Sequence, residues 1–230
     1  MSRAYFITGT DTWVGKTFVT SLLARIFREK GVDVGVMKPV ETGCPQKDGS
    51  LIPQDAIKLK DASGSADPLD TINPYRFKEP LAPDIASEIA GVRIDFMRIK
   101  ECYRKISGAH GLTLVEGAGG LLVPLTPDKT VADLILFLGL PLIVVGASRL
   151  GAVNHTLLTV ECAKKRGIEV KGIILNNASP LEGDLSRGFN RKEIEKFTKI
   201  PVFGEVPYTE SSLRDADLNY LKSCLDLERV

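Results

Sequence analysis

Residues 9–17, with the sequence GTDTWVGKT, constrain this chain more than any other stretch. They follow an apolar run at residues 4–8, whose aromatic and β-branched side chains predict a buried strand. They lead into residues 16–30, where apolar side chains recur at helical spacing. A strand, a glycine-bearing loop and a helix form the setting of a phosphate-binding loop, in which backbone N–H groups face phosphate oxygens at the positive end of the helix. The sequence therefore predicts a polyphosphate site at this loop.

The loop is one residue longer than the common G-x-x-x-x-G-K-[ST] pattern, because the glycine upstream of Gly15 is Gly9. In a loop of this kind, the Lys16 ammonium is expected to contact the β- and γ-phosphates, and the Thr17 hydroxyl to bind Mg²⁺. The alternative is that Gly-Lys-Thr only starts a helix and the lysine is solvated.

Length and charge narrow the class of protein. A chain of 230 residues is long enough for one large domain, and we expect residues 1–230 to form a single ATP-binding domain. A formal net charge of +1 gives no argument for binding to nucleic acid or to a membrane, so the anion site is expected to be local. Residues 1–3 lead directly into the first predicted strand, and no apolar run approaches the length of a membrane span. We therefore expect a cytoplasmic protein.

Apolar, β-rich runs alternate with helical runs along the chain. Further strands are predicted at residues 33–37, 112–115, 141–146, 170–175 and 202–206. Further helices are predicted at residues 55–61, 83–90, 94–107 and 130–138, from about 151 to 166, at 191–199 and from about 216. The alternation predicts an α/β fold of the P-loop NTPase type, with a doubly wound, mostly parallel sheet and helices on both faces. Between them, residues 44–83 form a long Pro- and Gly-rich excursion, which we expect to serve a site.

Polar residues fall where these strands end, which is the edge at which open α/β sheets bind ligands. Lys38 follows the second strand, and Glu116 follows the strand at residues 112–115. An acidic residue in that position holds Mg²⁺ or its bound water in P-loop enzymes, so Glu116 is a candidate metal ligand. Asn176 carries an amide able to read a base edge, and the helix opening near residue 151 offers unpaired N–H groups to a second anion. The alternatives are solvated charges, a turn-forming asparagine and an ordinary helix start.

Several segments together resemble the dethiobiotin synthetase family. They are GTDTWVGKT at 9–17, KPVETG at 38–43, DA at 55–56, NPYRFKEPLAP at 73–83, VEGAGGLLVPL at 115–125, LGAVNHTLLT at 150–159, NN at 176–177 and GEVP at 204–207. The resemblance covers nearly the whole chain. It implies ATP- and Mg²⁺-dependent closure of a cyclic urea on 7,8-diaminononanoate with CO₂ or bicarbonate, through a carbamate and a carbamic–phosphoric anhydride, in a homodimer.

The same resemblance implies roles for individual residues. The ATP-binding residues it implies are Asp11, Thr12, Val14, Gly15, Lys16, Thr17, Glu116, Asn176, Glu205 and Pro207. The implied metal ligands are Thr17, Asp55 and Glu116, and the implied catalytic residues are Lys16, Lys38 and Thr12. The implied substrate-binding residues are Thr12, Lys38, Thr42, Gly151, Ala152, Val153 and Asn154. One position departs from the family, because Trp13 stands where a glutamate is usual, and the role of this tryptophan is open.

Two other classes of P-loop protein are the alternatives. Partition- or carrier-type ATPases often carry an additional lysine early in the loop, where this chain has Asp11 and Thr12. An amidoligase-like protein or a small-molecule kinase would show a glutaminase segment or an arginine-rich lid, and neither is evident. Both comparisons favour the synthetase.

Overall fold

The computed structural model describes residues 3–180, 184–209 and 217–226. The strands are β1 (Arg3–Gly9), β2 (Val34–Met37), β3 (Val40–Glu41), β4 (Gln46–Lys47), β5 (Ser50–Leu51), β6 (Tyr75–Arg76), β7 (Leu112–Gly120), β8 (Pro124–Thr126), β9 (Lys129–Thr130), β10 (Leu142–Ala147), β11 (Val170–Asn176) and β12 (Val202–Val206). The helices are α1 (Lys16–Glu29), α2 (Gln54–Ser63), α3 (Leu69–Ile72), α4 (Pro83–Ile89), α5 (Phe96–Ala109), α6 (Val131–Leu138), α7 (Ala152–Lys165), α8 (Arg187–Thr198) and α9 (Leu218–Ser223). Within these described residues, no helix has the length and apolar character needed to cross a membrane.

A six-stranded sheet in the order β12-β11-β10-β1-β7-β2 forms the centre of the molecule, and every pair of neighbouring strands is parallel. β1 lies inside the sheet, with Phe6 paired to Leu142 of β10 on one side and to Val115 of β7 on the other. β7 and β2 therefore lie on one side of β1, and β10, β11 and β12 lie on the other. The loop after β1 lies at the point where the strand order reverses.

Helices cover both faces of the sheet. Phe6 and Ile7, neighbours on β1, are fully buried in different apolar cores, because successive side chains of a strand point to opposite faces. The core around Ile7 includes residues of α1, α2, α3 and α9. The core around Phe6 includes residues of α4, α5, α6, α7 and α8. The predicted α/β fold, with a mostly parallel sheet and helices on both faces, is confirmed.

The segment between β3 and α4 is tied to the chain at Lys38. β3 and β6 form a short parallel pair outside the central sheet. The Lys38 N–H donates to the carbonyl of Ile72 at 2.8 Å, and the buried Asn73 amide donates to the Lys38 carbonyl at 2.7 Å. Both polar backbone groups of Lys38 are therefore held by residues from this segment.

Two element boundaries differ from the sequence-based prediction by four residues or more. β7 extends to Gly120, so Glu116 lies inside the strand, paired with Ile7, rather than after its end. The glycine-rich stretch stays extended because Gly120 still pairs with Gly9, across an irregularity in the register. α8 begins at Arg187, four residues earlier than predicted, because Gly188 is accommodated inside the helix. The predicted helix start at residue 216 lies outside the described residues, and the described helix is α9.

Candidate active site

The loop between β1 and α1 folds closely over its own backbone. Lys16, the first residue of α1, is buried, and its Nζ donates to the carbonyl of Asp11 at 3.1 Å. Gly15 has a φ of 87°, and a Cβ at this position would clash with Nδ2 of Asn176. That Nδ2 donates to the carbonyl of Val14 at 2.9 Å. Only glycine therefore fits at position 15, because the end of β11 presses directly on the loop.

Ion pairs and a hydrogen bond join Thr17, Lys38, Asp55 and Glu116 beside this loop, and Lys16 interacts with this group electrostatically. We call the five residues the lysine–carboxylate cluster: Lys16, Thr17, Lys38, Asp55 and Glu116. The Lys38 Nζ lies 2.5 Å from Oε1 of Glu116 and 3.1 Å from Oδ2 of Asp55. The Thr17 hydroxyl donates to the same Oε1 at 2.8 Å. Lys38 and Glu116 are both buried, whereas Asp55, in the first turn of α2, is partly exposed. The residue that follows β2 is thereby brought together with residues of α1, α2 and β7.

The two lysines of the cluster differ in their electrostatics. Burial, together with the nearby charge of Lys38, lowers the pKa of Lys16 to about 8. Burial alone would also lower the pKa of Lys38, but Glu116 and Asp55 outweigh it and raise that pKa above its usual range. Burial would raise the pKa of Asp55, and Lys38 outweighs it and lowers that pKa. At neutral pH both lysines are therefore mainly ammonium, and Lys16 is the easier of the two to deprotonate.

The donor set of the cluster fits Mg²⁺ bound together with a nucleotide. Oε2 of Glu116 is buried and has no hydrogen-bond partner in the part of the chain that the structure describes. Carboxylate and hydroxyl oxygens are ligands that Mg²⁺ prefers, and it usually takes one or two protein carboxylates together with substrate phosphates. No group of three or more His, Cys, Asp or Glu side chains among the described residues is arranged to hold a metal. A magnesium ion at this site would therefore need phosphate oxygens to complete its coordination shell.

Glu41 is a site residue that the sequence analysis did not single out. Its Oε1 accepts from the N–H of Asp55 at 2.9 Å, and its Oε2 accepts from the N–H of Ala56 at 3.0 Å. The carboxyl is buried, and burial raises its pKa. A charged residue four positions after the predicted strand at residues 33–37 was the available signal, but its partners lie 14 and 15 residues further along the chain.

A cavity of about 210 Å³ lies on the other side of the loop. Its lining residues are Thr12, Trp13, Val14, Ala147, Ser148, Arg149, Asn176, Ala178, Ser179 and Arg187. Arg187, also missed by the sequence analysis, donates to the carbonyls of Ser148 at 3.1 Å and Ser179 at 2.9 Å, and so joins the loops after β10 and β11. A larger cavity of about 1260 Å³ between α4, α5 and the β8–β9 hairpin contains none of the predicted site residues.

The remaining predicted residues do not join the cluster. The side-chain amide of Asn177, beside Asn176, donates to Glu205 at 3.1 Å and to the carbonyl of Val206 at 3.0 Å, next to Pro207. Residues 151–154 open α7, and the hydrogen bonds of the described residues link neither these residues nor Thr42 to the lysine–carboxylate cluster. The roles of Thr42 and residues 151–154 stay predictions.

Two solved structures illustrate the similarity of fold. The septum site-determining protein MinD of Pyrococcus horikoshii, complexed with Mg-ADP, has a TM-score of 0.58 over 100% of this chain and 89% of that chain, at 18% identity. A ParA family ATPase from Chlorobium tepidum has a TM-score of 0.55 over 99% of this chain and 92% of that chain, also at 18% identity. These likenesses establish the fold alone.

Sequence relatives establish more than the fold. A family model described as an AAA domain matches residues 3–215. The ATP-dependent dethiobiotin synthetase BioD of Thermodesulfovibrio yellowstonii is 42% identical, over 94% of this chain and 92% of that protein. The protein of the same name from Anaeromyxobacter dehalogenans is 44% identical, over 93% of this chain and 94% of that protein. The chain therefore belongs to the family of ATP-dependent dethiobiotin synthetases, ligases built on the P-loop fold.

Proposed function

We propose that this protein makes dethiobiotin from 7,8-diaminononanoate, CO₂ and ATP, releasing ADP and phosphate. The observation that carries the proposal is the pair of buried lysines beside the β1–α1 loop: Lys38 forms an ion pair with the buried carboxylate of Glu116, and Lys16 donates to the carbonyl of Asp11 within the loop. Two ammonium groups in a buried setting suit a reaction in which negative charge builds up on phosphate and carbamate oxygens.

The proposed reaction has three steps. One amine of the substrate adds to CO₂ and loses a proton, which gives a carbamate. A carbamate oxygen attacks the γ-phosphorus of ATP, so that the bond to ADP breaks and a carbamic–phosphoric anhydride forms. The second amine then attacks the anhydride carbon, which expels phosphate and closes the urea ring. Lys16 and Lys38 stabilise the negative oxygens in these steps, and no protein nucleophile is needed because positioning and charge dominate phosphoryl transfer.

Within this proposal Thr17, Asp55 and Glu116 hold Mg²⁺. Two lysines and two carboxylates balance each other in the lysine–carboxylate cluster, so nucleotide phosphates would add negative charge that has no counterpart. When bound, Mg²⁺ would neutralise part of the phosphate charge. Asn176, Glu205 and Pro207 are proposed to surround the adenine, and residues 151–154 the substrate carboxylate.

We also propose a homodimer that buries the start of α7. Leu150, Leu185 and Phe189 are 82%, 83% and 66% exposed, which is high for large apolar side chains. The N–H of Leu150 donates to Asp184 at 3.0 Å, which brings the chain at Leu150 close to the segment that carries Leu185 and Phe189. Sedimentation velocity measures the oligomeric state directly.

The experiment that tests the proposed function is phosphate release from ATP with and without 7,8-diaminononanoate and bicarbonate. We expect release only when both are present, with dethiobiotin formed in equal amount by mass spectrometry. Phosphate release that is independent of both compounds would favour a partition-type ATPase instead.

Trp13 supports a prediction about which substrate the loop contacts through its side chains. Trp13 is 91% exposed and has a φ of 64°, a conformation that is unusual for a bulky residue. The loop turns its backbone N–H groups to the phosphates, so this side chain is free to face the second substrate. We expect Trp13→Glu to leave the KM for ATP within about threefold, under roughly 0.7 kcal/mol, and to change the KM for the diamine by more.

Steady-state kinetics on both substrates checks this, and Trp13→Phe, which keeps an aromatic ring, is the matched control. An unchanged diamine KM in Trp13→Glu would mean that the indole faces solvent. A large change confined to ATP would place this side chain on the nucleotide side of the loop.

A further inference from the structure

The start of helix α2 has no cap from its own sequence. The N-cap residue is Pro53, which provides no side-chain hydrogen bond. The first N–H groups of a helix have no partner within the helix, and they carry the positive end of its dipole. Glu41 supplies the missing acceptors from β3, with one carboxylate oxygen on the N–H of Asp55 and the other on the N–H of Ala56. A buried carboxylate that binds two N–H groups is a strong, charge-assisted contact.

Glu41 is itself held in place by β-pairing. It pairs with Arg76 of β6, and its carbonyl accepts from the N–H of Phe77 at 2.8 Å. It also lies three residues after Lys38 on the same stretch of chain. The stretch of chain that carries Lys38 therefore binds, through the Glu41 carboxylate, the first turn of α2, which carries Asp55. The Asp55 carboxylate reaches Lys38 at 3.1 Å as a result of this arrangement.

We propose that Glu41 is a positioning residue for the Mg²⁺–nucleotide site, because it fixes the first turn of α2 and so holds the Asp55 carboxylate beside Lys38 and Glu116. This rests on the proposed role of Asp55 as a metal ligand. Glu41 touches no reacting atom in this scheme, and it acts only through Asp55. Removing a residue that orients a metal ligand without touching the metal typically lowers metal affinity about 10- to 100-fold.

The test measures the Mg²⁺ gain, which is the factor by which Mg²⁺ strengthens the binding of a non-hydrolysable ATP analogue. Calorimetric titrations with and without Mg²⁺ give this factor. We expect this gain to fall about tenfold in Glu41→Ala and about threefold in Glu41→Gln, which keeps one acceptor oxygen. Asp95→Ala is the matched control, since Asp95 caps α5 through the N–H of Met97 at 2.8 Å, and its gain should stay within about twofold of the wild type. Amide hydrogen exchange should show loss of protection at Asp55 and Ala56 in Glu41→Ala and not in Asp95→Ala.

A double variant distinguishes a positioning role from a general structural one. Because Glu41 acts through Asp55, adding Glu41→Ala to Asp55→Asn should lower the Mg²⁺ gain by less than about twofold. An undiminished effect in the double variant, or a wild-type gain in Glu41→Ala, would overturn the proposal while leaving Asp55 as a ligand. A wild-type gain in Asp55→Asn would instead overturn the metal assignment, and this proposal with it. If Glu41→Ala does not fold, the same comparisons are made with Glu41→Gln, and a wild-type gain there would again overturn the proposal.

Discussion

Replacing Lys16 by glutamine is expected to lower turnover about a hundredfold to a thousandfold. Glutamine keeps a polar side chain of similar length but removes a positive charge that the fold holds in a fixed position. Losing one such preorganised group typically reduces transition-state stabilisation by about 3 kcal/mol or more. Lys16 is buried and its Nζ contacts the carbonyl of Asp11, so solvent cannot substitute for the missing ammonium. The measurement is the steady-state rate of ADP formation at saturating diamine, bicarbonate and ATP.

The control is Lys105→Gln, which replaces an exposed lysine of α5 and should keep wild-type turnover.

The pH profile gives a second check, because kcat/KM reports the ionisation of the free enzyme. With its pKa lowered to about 8, Lys16 is charged below that pH and loses its proton above it. The kcat/KM for ATP should therefore fall as the pH rises through about 8, and Lys16→Gln should lose this fall. Near-normal turnover in Lys16→Gln would remove Lys16 from the mechanism.

Replacing Lys38 by methionine is expected to damage both stability and turnover. Methionine fills similar space, but the fully buried carboxylate of Glu116 then loses its ion-pair partner. Removing one partner of a buried ion pair typically costs about 3–5 kcal/mol, because the remaining charge is left uncompensated in the interior. We expect the free energy of unfolding, measured by urea titration, to fall by about that amount, and turnover to fall at least about a hundredfold.

The matched variant is Lys38→Met combined with Glu116→Gln, which removes both charges. It should recover at least half of the lost free energy of unfolding, because no unpaired charge remains, while turnover stays low. If Lys38→Met unfolds at the same urea concentration as the wild type, the two side chains are not the buried pair described above.

Local signals in the sequence predicted most of the sheet and two of the five residues of the lysine–carboxylate cluster. The strand and helix flanking the loop are each marked by their own periodicity, and Lys16 and Thr17 follow from the loop motif. Lys38 and Glu116 were found because parallel strands bring their carboxyl ends to one edge. Asp55 followed only from the family resemblance, since it lies in an irregular excursion whose path no local pattern defines.

Long-range contacts explain what the sequence did not reveal. The Glu41 carboxylate and the N–H groups that it binds are separated by an excursion, so no helical or strand periodicity links them. Asn176 was predicted to read a base edge, whereas its side-chain N–H in this structure contacts the carbonyl of Val14, 162 residues away. An asparagine at a strand end has several possible partners, and only the folded chain selects one. Its role toward adenine stays a prediction.

The interior position of β1 has a consequence for how the chain folds during synthesis. β1 leaves the ribosome well before its two neighbours, which begin at Leu112 and Leu142. At about 5–20 residues per second, the nascent β1 waits roughly 5 to 20 s for its first partner strand and longer for its second. Throughout that interval an apolar strand has two open edges, which is the condition that favours pairing with other chains. We expect nascent chains shorter than about 110 residues to depend on chaperones, and the phosphate-binding loop to be among the last parts of the protein to reach its final shape.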